Sequence, residues 1–99
     1  MVKLVEVYKG HSFGKQKIGY ELREVYVNPS HVVCMYADNS MQSKLHEGYL
    51  PENLDKRQLF TKLQLNQGQT SYHISVVGDI HNISEKLGLL PNKQHLLHD

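Results

Sequence analysis

The stretch LFTKLQLNQGQTSYHISVVGD, residues 59–79, decides the fold. Leu59, Thr61, Leu63 and Leu65 alternate with Phe60, Lys62 and Gln64, the two-residue period of a strand with one buried face. Asn66-Gln67-Gly68-Gln69 supplies turn residues, and beyond it Tyr72, Ile74 and Val76 again share a face. Two alternating runs about a short turn predict a β-hairpin over residues 59–77. Its second strand carries His73 and Ser75 on the other face, where Lys, Glu or Thr would be the plainer choice, and stops at Gly78-Asp79. That choice raises the question of what this face meets.

On the C-terminal side, Ile80, Ile83 and Leu87 are spaced for one face of a helix that Asp79 or Asn82 would cap and Gly88 would end. The tail from Leu89, with Pro91 and two late histidines, has no clear period; residues 91–99 are expected to be flexible. On the N-terminal side, residues 38–58 change composition. Ser40 to Glu47 offers a Ser cap and helical spacing of Met41, Leu45 and Tyr49, which predicts a short helix inserted between strands. Further back, Lys3 to Tyr8 and Tyr20 to Val27 read as strands separated by the glycine-containing loop 10–19. Asn28-Pro29-Ser30 breaks the second, because Pro29 cannot donate to a ladder. His31 to Tyr36 then follows so closely that the two strands are expected to form a bent or hairpin pair. Cys34, on a face with Val32 and Tyr36, is expected to be a core thiol.

The expectation is a mainly β domain over residues 1–90: a small, strongly bent five-stranded antiparallel sheet or barrel with an inserted short helix and a C-terminal helix. With 99 residues such a domain buries little surface, so self-association is a natural supplement, and an open edge strand could pair with the next subunit to close a ring. The chain has 11 Lys and Arg against 10 Asp and Glu, a net charge of +1, which excludes a strongly basic tail but permits a local cationic patch. One cysteine excludes an intrachain disulfide and fits a reducing compartment. No leader pattern and no apolar run of about 18 residues is visible, so a cytoplasmic protein with no membrane partner is expected.

Two segments resemble Sm-like proteins, small barrels that assemble as RNA-binding rings. Glu24-Val25-Tyr26-Val27-Asn28 is similar to the first Sm motif, with an acid, an apolar or aromatic pair and an Asn. Ile74-Ser75-Val76-Val77-Gly78-Asp79 is similar to the second, an apolar strand ending in Arg-Gly-Asp or Arg-Gly-Asn. Tyr72-His73 with the same run also resembles the equivalent strand of bacterial Sm-like RNA chaperones. Val77 stands where that motif has its Arg, and the Lys between Tyr and His is missing. The resemblance implies an SH3-type barrel, a homo-oligomeric ring of open subunit number, and RNA or single-stranded DNA as ligand. Over its length the chain also resembles a family of short proteins of T4-like cyanophages and marine metagenomes. Leu22 to Asn28, His31 to Cys34, Leu54 to Gln58 with Phe60-Thr61, and Glu85 to Gly88 carry this likeness. It implies a viral protein working in the cytoplasm of an infected bacterium and brings no activity with it.

Binding a single strand needs aromatic faces for stacking, polar groups for base edges and cations for phosphate. Tyr26, Asn28, Tyr72 and His73 supply the first two, on strands expected to be neighbours. Lys56, Arg57 and Lys62 supply the third, with Lys15 and Lys17 as a weaker second set. Each also has a plainer role: half-buried barrel tyrosines, an Asx-turn at Asn28 before Pro29, and a solvated charged face. The loop lacks P-loop spacing. Seven histidines do not make a metal site, because His31 and Cys34 fall on opposite faces of a strand and His95-x-x-His98 has no partners. Ser75, His73 and Asp79 lie along one strand and cannot converge as a triad, so neither enzyme activity nor a cofactor is expected. The competing reading is an SH3-like module that binds a host protein through the 38–58 insertion.

Overall fold

A computed structural model describes residues 1–10 and 19–89. Lys15, Lys17 and the histidines of the C-terminal tail lie outside the described residues. The fold is mainly β: one five-stranded antiparallel sheet with two helices. The strands are β1 (Val2–Lys9), β2 (Tyr20–Val27), β3 (Val32–Ala37), β4 (Phe60–Gln67) and β5 (Thr70–Val77), in the spatial order β2-β1-β5-β4-β3. Helix α1 (Asn39–His46) enters between β3 and β4, and α2 (Ile80–Leu87) follows β5.

The 59–79 stretch folds as its pattern predicts. β4 and β5 pair without interruption from Phe60↔Val77 to Gln67↔Thr70, and the chain reverses at Gly68, whose φ of +64° suits glycine. Asp79 caps α2 by accepting the Asn82 N–H at 2.7 Å, and Gly88 ends the helix in the left-handed conformation.

β2 and β3 are consecutive in the chain yet occupy opposite edges, so they are not the bent or hairpin pair that their short connection suggests. In a flat sheet their backbones would stand four strand spacings apart, about 19 Å. The link between them is wound into the 3-10 turn Pro29–His31, closed by the His31 N–H on the Asn28 carbonyl at 2.9 Å. From Val27 to Val32 such a link reaches about 15 Å at most. The sheet therefore curls, although its ladder stays open between β2 and β3. Curling brings Leu4 of β1 and Val27 of β2 into one core with Leu63 and Leu65 of β4, Val76 of β5, and Ile83 and Leu87 of α2.

A second core lies on the opposite face. Val7 stands across from Ser75, and Phe60 across from Val77, so Val7 and Phe60 point away from the first core and pack with Met41, Leu45 and Leu50 from α1 and the segment after it. Two expectations fail, the first because of this second core. Phe60 is 2% exposed and Leu59 43%, the reverse of a sheet with one apolar face. Cys34 is exposed and donates its thiol to Gln64 Oε1 at 3.3 Å, because a register shift between Val32 and Cys34 rotates it out of the core. The cap of α1 is Asp38 rather than Ser40: its Oδ1 accepts the Met41 N–H at 3.0 Å.

A candidate nucleic-acid interface

The β1–β5 ladder has only two registered pairs, Glu6↔Val76 and Val7↔Ser75, against eight each for β1–β2 and β4–β5. Where the two hairpins diverge they leave a cleft of about 510 Å³. Four of the seven residues proposed from sequence line it: Tyr26, Asn28, Tyr72 and His73. They reach it from different faces, for β2 and β5 are not neighbours and β1 lies between them: Tyr72, across from Leu65, is on the face of the first core, while Tyr26, across from Lys3, and His73, across from Gln64, alternate to the other face. Tyr26 is 62% and Tyr72 43% exposed, so both rings offer a face to a planar ligand. Asn28 Oδ1 accepts the Ser30 N–H at 3.0 Å, the expected Asx-turn, and its Nδ2 has no acceptor among the described residues.

Arg23 and His31, not proposed from the sequence as nucleic-acid contacts, also line the cleft. Arg23 faces Glu6 across the β1–β2 ladder, and its Nε donates to Glu6 Oε1 at 2.9 Å while its guanidinium lies 4.2 Å from the Tyr8 ring centroid. The bond to Glu6 raises the Arg23 pKa above its usual value. Glu6 is buried, and this bond is what compensates its charge. The signal for Arg23 was present in the register: four residues before Val27 on one strand places it on the same face. His31 was hidden by the mistaken hairpin.

Lys56, Arg57 and Lys62 lie apart from this cleft. Lys56 Nζ donates to the Leu45 carbonyl at 3.5 Å, at the C-terminal end of α1 where a cation is favoured. Arg57 is held by Asp55 through Nε at 3.2 Å and Nη2 at 3.1 Å, and this contact lowers the Asp55 pKa. Arg57 shares a shallow depression with Gly78 and Asp79, which is where the end of the second Sm-like segment stands, away from Asn28. Lys62 sits on the other face of the sheet, its Nζ 3.8 Å from Asp38 Oδ2.

Among the described residues no group of three His, Cys, Asp or Glu side chains is placed to hold a metal ion, and no helix is long and apolar enough to cross a membrane. No protein-family model, curated protein or solved structure matches the chain.

Proposed function

We propose that this protein is a non-catalytic, single-stranded nucleic-acid-binding module, with RNA as its preferred ligand, acting in the cytoplasm of a phage-infected bacterium. The observation that carries the reading is a cleft at which the exposed Tyr72 stands with Asn28 and His31, with Tyr26 and His73 at its rim from the other face of their strands. Two rings stack bases without regard to sequence, while an amide with a free Nδ2 and two imidazoles reach base edges. The unpaired outer edges of β2 and β3 are the surfaces through which copies would add strand to strand and close a homo-oligomeric ring. The rival reading, a host-protein module docking through the 38–58 insertion, needs an exposed apolar helix; Met41 and Leu45 of α1 are buried against the sheet instead.

The test is fluorescence anisotropy with uridine-rich and adenosine-rich RNA and a DNA control, on protein of established oligomeric mass. Saturable, salt-sensitive binding is expected, and Tyr26→Ala or Tyr72→Ala should each weaken it by about 1–3 kcal/mol, the worth of one stacked base. Wild-type protein that leaves every oligonucleotide free at tens of micromolar, on the order of non-specific affinities, would overturn the reading.

A further inference from the structure

We infer that the phosphodiester backbone of the bound strand crosses β5 at His73 and runs into a lysine-lined groove on the face of the sheet opposite Tyr72, so that the protein holds bases and phosphates at separate sites. The inference rests on the nucleic-acid reading above and assigns it a second site. The groove, of about 330 Å³, lies between α1 and the strands β1, β4 and β5. Lys9 from β1, Lys44 from α1 and Lys62 from β4 line it, and His73 lines both this groove and the tyrosine cleft.

The charge balance favours an anion. Three ammonium groups face one carboxylate, that of Asp38, while the Glu6 carboxylate turns to the opposite face, and both carboxylates are engaged. Glu6 is bound by Arg23, and Asp38 is buried with Oδ1 on the Met41 N–H and Oδ2 accepting from Ser75 Oγ at 2.5 Å. Lys62 lies nearest Asp38, at 3.8 Å, and is the cation most compensated. Lys44 donates to the Ser40 hydroxyl at 3.1 Å and stands 6.0 Å from the Tyr20 ring centroid, a neutral setting that leaves its charge uncompensated. No described carboxylate pairs with Lys9 or Lys44. A chain of phosphates is a ligand that matches three cations drawn from β1, α1 and β4 along one groove, and it has a base at each step to deliver to Tyr72 and Tyr26.

The experiment measures the slope of log affinity against log salt for a uridine-rich RNA. Each phosphate contact removed from a single strand makes that slope shallower by about 0.7, so Lys9→Ala/Lys44→Ala should make it shallower by about 1.4, with Lys86→Ala on α2 as the unchanged control. Asp38→Asn, which keeps a capping side chain and removes the groove's negative charge, should tighten binding several-fold at low salt. A wild-type slope in Lys9→Ala/Lys44→Ala, with Tyr72→Ala still impaired, would overturn the groove and leave the base cleft standing. Wild-type protein that binds no oligonucleotide would overturn both. Polyglutamate that displaces the RNA as well as unlabelled RNA of equal charge would overturn the assignment to phosphodiesters.

Discussion

Replacing Asp38 with Ala removes the residue on which the 38–58 insertion is anchored to the sheet. Its Oδ1 caps α1 through the Met41 N–H, and losing such a cap costs about 1 kcal/mol. Its Oδ2 accepts from Ser75, which is buried, so truncation strands a hydroxyl in a molecule that has no unsatisfied buried side-chain polar atom among its described residues; the penalty is about 1–3 kcal/mol. Lys62 is a third of the way into solvent and can turn to water, so its contact adds little. The sum is about 3 kcal/mol, or roughly 10–25 °C in Tm for a domain of this size. Urea unfolding followed by circular dichroism, at fixed protein concentration because association shifts apparent stability, should show a lower midpoint with an unchanged slope. The cycle with Ser75→Ala isolates the cause. In the Asp38→Ala background that second change should cost much less than it does alone, a coupling of about 1–2 kcal/mol, since the stranded hydroxyl disappears with it. A loss below about 1 kcal/mol for Asp38→Ala, or equal costs for Ser75→Ala in both backgrounds, would refute the reasoning.

Cys34 should react with a thiol reagent in the native protein about as fast as in urea, and slow labelling released only by unfolding would restore the core assignment. Gly78→Ala should destabilise more than Gly68→Ala in the same urea assay. Both have positive φ, +131° and +64°, but a Cβ at Gly78 would stand 2.9 Å from Ile83 Cδ1 while one at Gly68 meets open space, so the expected losses are about 1–3 kcal/mol plus the clash against about 1. The Tyr8 phenol is raised above its usual pKa of 10.0 by a hydrogen bond to Glu21 first, then by burial and the Glu21 charge. Because the folded value is the higher one, its contribution to stability is complete below the ordinary phenol pKa and fades as pH rises through the folded value. Ultraviolet titration should show one late tyrosine that moves down in Glu21→Gln; identical titrations of the two proteins would remove the assigned cause.

What was legible in the sequence was local. Asp79 and Gly88 bracket α2 because capping and left-handed exit are decided by single residues, and the 59–77 hairpin was legible because period and turn agree. What failed depended on distance along the chain. Nothing between Val27 and Val32 says that four residues span a curled sheet from edge to edge, and a one-residue register shift in β3 exposes Cys34 without altering the pattern. Leu59 and Phe60 exchanged roles because the insertion supplies a second core, which alternation on one face cannot reveal. For the candidate site, Tyr26, Asn28, Tyr72 and His73 were chosen by residue type and line one cleft, though from different faces of their strands, while Lys56 and Arg57 were taken up by a helix end and by Asp55 two residues away. Local partners of this kind are readable in the sequence once a charged side chain is asked what lies within two residues of it.

The two-pair junction between β1 and β5 has a kinetic meaning. Every other ladder can begin within a hairpin or across the insertion, but Glu6 meets Val76 and Val7 meets Ser75 only after nearly the whole chain has been ordered, at a loop-closure cost for roughly 70 residues that two backbone pairs repay slowly. The N-terminal hairpin and the β3–β5 unit are thus joined along the backbone by one short seam and one 3-10 turn, and otherwise by the side chains of the two cores they share. With two registered pairs against eight, amides at the seam are expected to exchange before those of the β4–β5 ladder.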